Sequence, residues 1–293
     1  MLFRFPIEDV NVKTTVEKKT IEKPSYTNYC VSLNQNEFTL DVAGAGWFYA
    51  RSGNYVAVMP DENATSSTID LYLNGSVYGA ILHQRKTLPL HGSCFRYKGL
   101  GVMLCGESGV GKSSLTTSFC LQGAAFLTDD VTPIVFPNGK PHIWGISDRI
   151  KLWSDSLQQL NQAEAGLERI MPAREKFYFP MLPNTDTLIP LGLIIILHVY
   201  DKPELTIEPL EGVPGFTALR NEIFRREYLQ GMPDTETAYL SQLIAIGQAV
   251  QVINVYRPEH IAIEQFRAEL VQLIDPLLFG RPVLADLTEP HTL

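Results

Sequence analysis

Between residues 24 and 80 apolar and polar positions alternate in short runs separated by turn-forming clusters, which predicts a small meandering sheet. The runs are Tyr29 to Leu33, Phe38 to Val42, Gly46 to Arg51, Tyr55 to Met59 and Thr68 to Leu73. Asp61 to Ser67, where Asp, Asn, Ser and Thr gather, reads as a loop. Val77 to His83 has helix-like apolar spacing, and Pro89 marks the entry to the next unit.

From Leu90 the rhythm changes to longer apolar runs alternating with helical patterns, the signature of an α/β core. Strands are predicted at Ser93 to Tyr97, Gly101 to Cys105, Ala124 to Leu127, Thr132 to Phe136, His142 to Ile146, Leu193 to Val199, Thr206 to Leu210 and Val250 to Tyr256. Helices are predicted at Lys112 to Leu121, Ser154 to Asn161, Gly215 to Leu229, Thr235 to Gly247 and Pro258 to Ile274. Ala163 to Asp186, with Pro172, Pro180 and Pro183, has weak periodicity and reads as a loop over a site. The expected organisation is therefore a β-rich subdomain over residues 1–85 and an α/β unit over 86–293.

The α/β unit carries the chemistry. Gly106, Glu107, Ser108, Gly109, Val110, Gly111, Lys112 and Ser113 fit G-x-x-x-x-G-K-[ST], and the string follows an apolar strand and opens a helical stretch. Glycines let such a loop curl until successive amides face phosphate oxygens, and the helix adds the positive end of its dipole. Lys112 is the residue for the terminal phosphates and Ser113 for magnesium, with Ser114 following in the first turn. Asp129 comes 17 positions after Lys112. A helix of roughly 15 Å at about 1.5 Å per residue, a turn at Gln122-Gly123 and a parallel return strand bring Asp129 and Asp130 to the phosphate edge of the sheet. One carboxylate suits magnesium, and the other suits the proton of an attacking hydroxyl.

Ser93 to Tyr97 and Gly101 to Cys105 flank Lys98-Gly99-Leu100 and read as a hairpin. With pairing centred on Gly99, His91 falls opposite Glu107, where an imidazole could bond a phosphate or orient an acid. Arg149 and Lys151, and the Arg225-Arg226 pair in the predicted Gly215 to Leu229 helix, are further cations for a transferring phosphoryl group.

Composition narrows the classes. The 293 residues hold 24 Lys and Arg against 32 Asp and Glu, a net charge of −8 with no long basic run, which argues against nucleic acid as a partner. The longest apolar stretch, Leu191 to Leu197, is far short of the roughly 20 residues of a membrane span, so no membrane association is expected. The first residues lack the apolar core of a secretion signal, and Cys30, Cys94, Cys105 and Cys120 are too scattered for a disulfide framework or metal pair. A cytoplasmic protein is expected.

Taken together, His91-Gly92, the strand Gly101 to Cys105, the loop Gly106 to Ser113 and the pair Asp129-Asp130 resemble the catalytic domain of HPr kinase/phosphorylase. The longer string from Leu90 through Ile134, then Arg149 to Trp153, is similar to the HPr-kinase-like serine kinases associated with peptide modification, including those acting on the C-terminal serine of lasso-peptide precursors. The resemblance runs from about Ser66 to Ile274 and implies a mixed sheet with flanking helices around a P-loop core of HPr kinase type.

It further implies an ATP- and Mg2+-dependent transfer to a serine of a peptide or small protein. Gly106 to Ser114 would bind the nucleotide, Ser113 and one of Asp129 and Asp130 the metal, the other aspartate would act as base, with Asp130 favoured as base and the two able to exchange roles, and His91 would assist. Lys176 and Arg225 fall where relatives carry basic residues, and a homo-oligomer is implied by analogy. The Glu-containing, Gly-rich signature linked to phosphorolysis is missing between Pro137 and Pro190, so a kinase without phosphorylase activity is expected. The residues themselves leave open a kinase of a small hydroxylated metabolite and a nucleotide-gated binding module.

Overall fold

The computed structural model describes residues 5–145, 147–171, 174–182 and 188–280. The N-terminal region forms β1 (Asn11–Thr14), β2 (Tyr26–Thr27), β3 (Val31–Leu33), β4 (Glu37–Val42), β5 (Gly46–Arg51) and β6 (Tyr55–Pro60), ordered β1-β6-β5-β4-β3-β2, of which β3 to β6 fall on the alternating runs. Strand alternation gathers Leu33, Phe38, Leu40, Phe48 and Val58 on one buried face. Over that face lie α1 (Ser66–Tyr72) and α2 (Tyr78–Gln84), joined through a π-helical turn at Leu73–Val77.

The run Thr68 to Leu73, expected as a strand, is thus helical. Thr65 caps it, its hydroxyl accepting from the Thr68 amide at 3.2 Å. The buried Ile69, Leu73, Val77, Ala80 and Ile81 recur at helical spacing, which a six-residue window is too short to separate from alternation. This core is shared with later chain, since Val131, Phe224, Tyr228 and Met232 pack into it.

The rest of the chain forms β7 (Leu88–His91), β8 (Ser93–Tyr97), β9 (Leu100–Gly106), α3 (Lys112–Leu121), β10 (Ala125–Thr128), β11 (Val131–Val135), β12 (His142–Trp144) and β13 (Arg149–Trp153). It continues through α4 (Ser154–Gln159), β14 (Glu168–Arg169), β15 (Lys176–Pro180), β16 (Leu188–Tyr200), β17 (Thr206–Pro209), α5 (Gly212–Asn221), α6 (Pro233–Ala249), β18 (Gln251–Pro258) and α7 (Ile263–Phe279). The large sheet has the order β10-β8-β9-β16-β12-β11-β7, with β18 against β16 and β17 against β18. The fold is mixed α/β, with helices flanking mixed sheets. None of the described helices is long and apolar enough to cross a membrane.

The apolar run of β16 is explained by burial on both faces. Ile194 and Ile196 pack with Leu219, Tyr239, Leu243 and Ile246 of α5 and α6. Leu193, Ile195 and Leu197 pack with Leu115 and Phe119 of α3 and with Phe266, Leu270 and Ile274 of α7. β9, β16 and β18 run parallel. β10 is antiparallel to β8, which is antiparallel to β9, so β10 returns in the direction of β9 with β8 between them. The ends of β9 and β10 therefore open on the same edge as the start of α3.

Four further expectations change. The hairpin pairs Tyr97 with Leu100 and Ser93 with Leu104, so its turn is the two residues Lys98 and Gly99, both at positive φ, and the register lies one residue from the expected one. His91 leaves that ladder and pairs with Val131 on β11. The helix expected over Gly215 to Leu229 stops at Asn221, because Ile223 bridges Leu90 and the Phe224 amide bonds Pro89 O at 2.9 Å, covering the open edge of β7. Within the expected loop Ala163 to Asp186, β14 and β15 join β13 in a three-stranded sheet, while Pro172, Pro183 and the following residues to Asp186 lie outside the described residues. The expected helix over Pro258 to Ile274 starts later, at Ile263.

Candidate functional site

The loop between β9 and α3 needs three glycines with positive φ: Gly106 at 119°, Gly109 at 93° and Gly111 at 100°. At Gly106 a Cβ would also lie 2.5 Å from Leu197 O. Among the described residues no side chain caps α3 at Gly111, an arrangement that suits an anion at the first-turn amides. Lys112 is buried and folds back, its Nζ donating to Gly106 O at 2.6 Å and Glu107 O at 3.0 Å. Arg257, at the end of β18, steadies the loop from behind by donating to Val110 O at 2.9 Å. The Glu222 carboxylate accepts from the Gly106 amide at 3.3 Å, and burial raises its pKa.

Across the loop, Asp129 accepts from Ser113 Oγ at 2.8 Å and from the Lys151 amide at 3.1 Å. Asp130 takes φ 72°, an uncommon conformation for a residue with a side chain, and this turns its carboxylate toward Lys151 Nζ at 2.6 Å. The Lys151 ammonium holds the Asp130 carboxyl well below the usual carboxylate range, against the opposing effect of burial. Burial works against the Lys151 charge, yet Asp130 outweighs it and the lysine pKa rises.

Beneath the pair, Thr128 and Thr132 hydroxyls meet at 2.7 Å and Thr132 donates to Gly92 O at 3.2 Å, fixing the turn from inside. Thr132→Val is expected to cost about 1–3 kcal/mol, since it leaves buried partners unsatisfied. Chemical denaturation of the variant reads the loss directly.

His91 stacks on Phe224 with ring centroids 5.9 Å apart, and its amide donates to Glu222 O at 2.6 Å. Burial, then the Lys112 charge, lowers its pKa despite Asp130 and Asp129, so the imidazole is neutral near pH 7. Lys176 holds its Nζ 5.3 Å from the Trp153 ring centroid, and burial lowers its pKa.

These groups share one cleft of about 590 Å³, lined by Ser108, Gly109, Gly111, Lys112, Ser113, Ser114, His91, Asp129, Asp130, Lys151 and Lys176. Trp153, Ser154, Asp155, Ser156, Arg174 and Glu175 complete it. Expected candidates Arg149 and Arg225 are not brought to the cleft. Arg149 pairs with Asp70 at 3.3 Å and lies 4.0 Å over the Tyr178 ring. Arg225, outside any helix of the expected kind, bonds Ser76 Oγ at 3.0 Å and lines a separate cavity with Arg220 and Arg226. Glu222, Arg257 and Trp153 were not singled out from the sequence, because Glu222 and Arg257 reach the loop, and Trp153 the cleft, only through tertiary packing.

Among the described residues no cluster of three or more His, Cys, Asp or Glu side chains could hold a metal. The oxygen pair Ser113 Oγ and Asp129 Oδ1 nevertheless suits magnesium, which binds through one or two protein oxygens together with phosphates and water.

No protein-family model and no curated protein matches the chain. Among solved structures, the Hpr(Ser) kinase/phosphatase from Coxiella burnetii is similar at 14% identity and a TM-score of 0.34, over 64% of this chain and 87% of that one. At that TM-score the likeness assigns neither reaction nor substrate.

Proposed function

We propose that the chain is a kinase that passes the γ-phosphoryl group of ATP to a serine hydroxyl of a peptide or small protein in the cytoplasm. The observation that carries this reading is Ser113 Oγ at 2.8 Å from Asp129, with Asp130 next in the chain and Lys112 in the same cleft. Metal ligand, phosphate cation and proton acceptor are the parts phosphoryl transfer needs, and they need only be positioned.

In this reading the amides from Gly109 to Ser114 cradle the phosphates, and Lys112 exchanges the carbonyls of Gly106 and Glu107 for phosphate oxygens. Ser113 and Asp129 would hold Mg2+, which when bound neutralises charge on the terminal phosphates. The serine oxygen bonds to the γ-phosphorus as the bond to the β–γ bridging oxygen breaks. ADP leaves with that electron pair, and the serine proton passes to Asp130 and then to water. A carboxylate made weakly basic by Lys151 suits a loose transition state, in which the hydroxyl loses its proton late. Neutral His91 offers a donor without repelling Lys112, and Lys176 adds charge opposite the loop. Residues 86–293 would form the catalytic unit.

The test is purified protein with γ-labelled ATP, magnesium and a panel of serine-containing peptides. Label on peptide serine is the expected result. ATP binding with no label on any peptide overturns the peptide acceptor and directs the search to small hydroxylated metabolites.

A further inference from the structure

We propose that Trp153 is the stacking surface for the base of the bound nucleotide, a proposal that rests on the phosphate-loop reading above. Trp153 ends β13 in the cleft wall and is 40% exposed, whereas Trp47 is 4% exposed and Trp144 packs against the N-terminal core. An indole presented inside a ligand-sized cleft offers a broad π-face.

Its position follows from the direction a triphosphate takes on such a loop. The lysine takes the β and γ end, so the α-phosphate and sugar lie toward the first turn of α3, at Ser113 and Ser114. Ser114 Oγ donates to Ser156 Oγ at 2.8 Å, which ties that turn to the segment three residues beyond Trp153. Trp153 also lies on the same face of β13 as Lys151, two residues earlier, whose Nζ marks the Asp130 end of the cleft. Two residues of strand, about 7 Å, separate the Lys151 position from the indole. Lys176 Nζ, 5.3 Å from the ring centroid, fixes the indole in the wall before any ligand arrives. Stacking of this kind tolerates different bases, so it separates a nucleotide from a phosphate chain and not one base from another.

Calorimetric titration of the full chain with Mg-ATP and with Mg-tripolyphosphate tests the proposal in the wild type, Trp153→Phe and Trp153→Ala. The wild type is expected to prefer ATP over tripolyphosphate by about tenfold, from the usual strength of base–aromatic stacking. Trp153→Phe keeps that preference, and Trp153→Ala loses it while binding tripolyphosphate like the wild type, which also reports that it is folded. In the wild type, indole emission changes with ATP and not with tripolyphosphate, and Trp153→Phe abolishes the change. Equal wild-type affinities for the two ligands, a preference retained in Trp153→Ala, or emission indifferent to ATP overturns the stacking role and leaves the phosphate loop standing. Binding of neither ligand by the wild type overturns both.

Discussion

Lys112→Ala is expected to weaken ATP binding by at least about a hundredfold while leaving the fold intact. The ammonium makes two charge-assisted contacts, to Gly106 O at 2.6 Å and Glu107 O at 3.0 Å, and both can pass to phosphate oxygens. Hydrogen bonds to charged groups contribute about 1.5–3 kcal/mol each, so losing two corresponds to roughly two to four orders of magnitude in affinity. Stability should change much less. Among the described residues no carboxylate pairs with Lys112, which is buried, so its removal relieves a desolvated charge even as two loop carbonyls lose a donor. Lys112→Arg should not restore binding, because a planar guanidinium cannot take the place of a compact ammonium inside a curled loop. Calorimetry with Mg-ATP and the unfolding midpoint of each variant separate the two effects. A Lys112→Ala protein that binds ATP within threefold of wild type would show that this loop is not the nucleotide site.

What was legible in the sequence is what depends on neighbouring residues. The glycines at 106, 109 and 111 mark the loop because each needs positive φ, and that requirement is local. The placement of Asp129 beside Ser113 follows from counting one helix and one return strand, which leaves little freedom in where the second strand ends. Quantities fixed by pairing were less legible. His91 was placed opposite Glu107 by assuming a three-residue hairpin loop, and the Lys98-Gly99 turn moves that register by one residue. The imidazole then belongs to the β7–β11 pair, next to the turn of Asp130.

Strand β15 escaped detection because Lys176 to Pro180 is short and ends in proline, and its partner β13 lies more than twenty residues earlier. Arg225 looked helical by spacing, but the chain there turns along the edge of β7 and takes φ 53°. Glu222 and Arg257 left no local signal at all, since what distinguishes them is the loop atoms they touch.

Asp130→Asn is expected to retain ATP binding and to lose phosphoryl transfer by about 10²–10⁴, the usual contribution of a positioned base. Removing a negative charge beside the phosphate loop cannot weaken the attraction for a polyanion, and it frees Lys151 Nζ, now 2.6 Å from Asp130, to face the nucleotide. The pH dependence gives a sharper test. The Lys151 charge keeps the Asp130 carboxyl well below the usual carboxylate range, so protonation of Asp130 occurs only as pH falls through that lowered value. Activity should therefore show no acid limb from this residue between pH 7 and about pH 4, the ordinary carboxylate value.

The same depressed value means that the stability the ion pair adds is present above about pH 4 and is lost as pH falls through the folded-state pKa. Lys151→Met removes the largest effect lowering the carboxyl, and the burial that remains acts in the opposite direction. The acid limb of transfer should then move to higher pH, with ATP affinity changed far less than turnover. Unchanged transfer in Asp130→Asn would remove this residue from the reaction and leave Asp129 as the carboxylate to examine. An acid limb that stays fixed in Lys151→Met would show that the lysine does not set the charge state of the base.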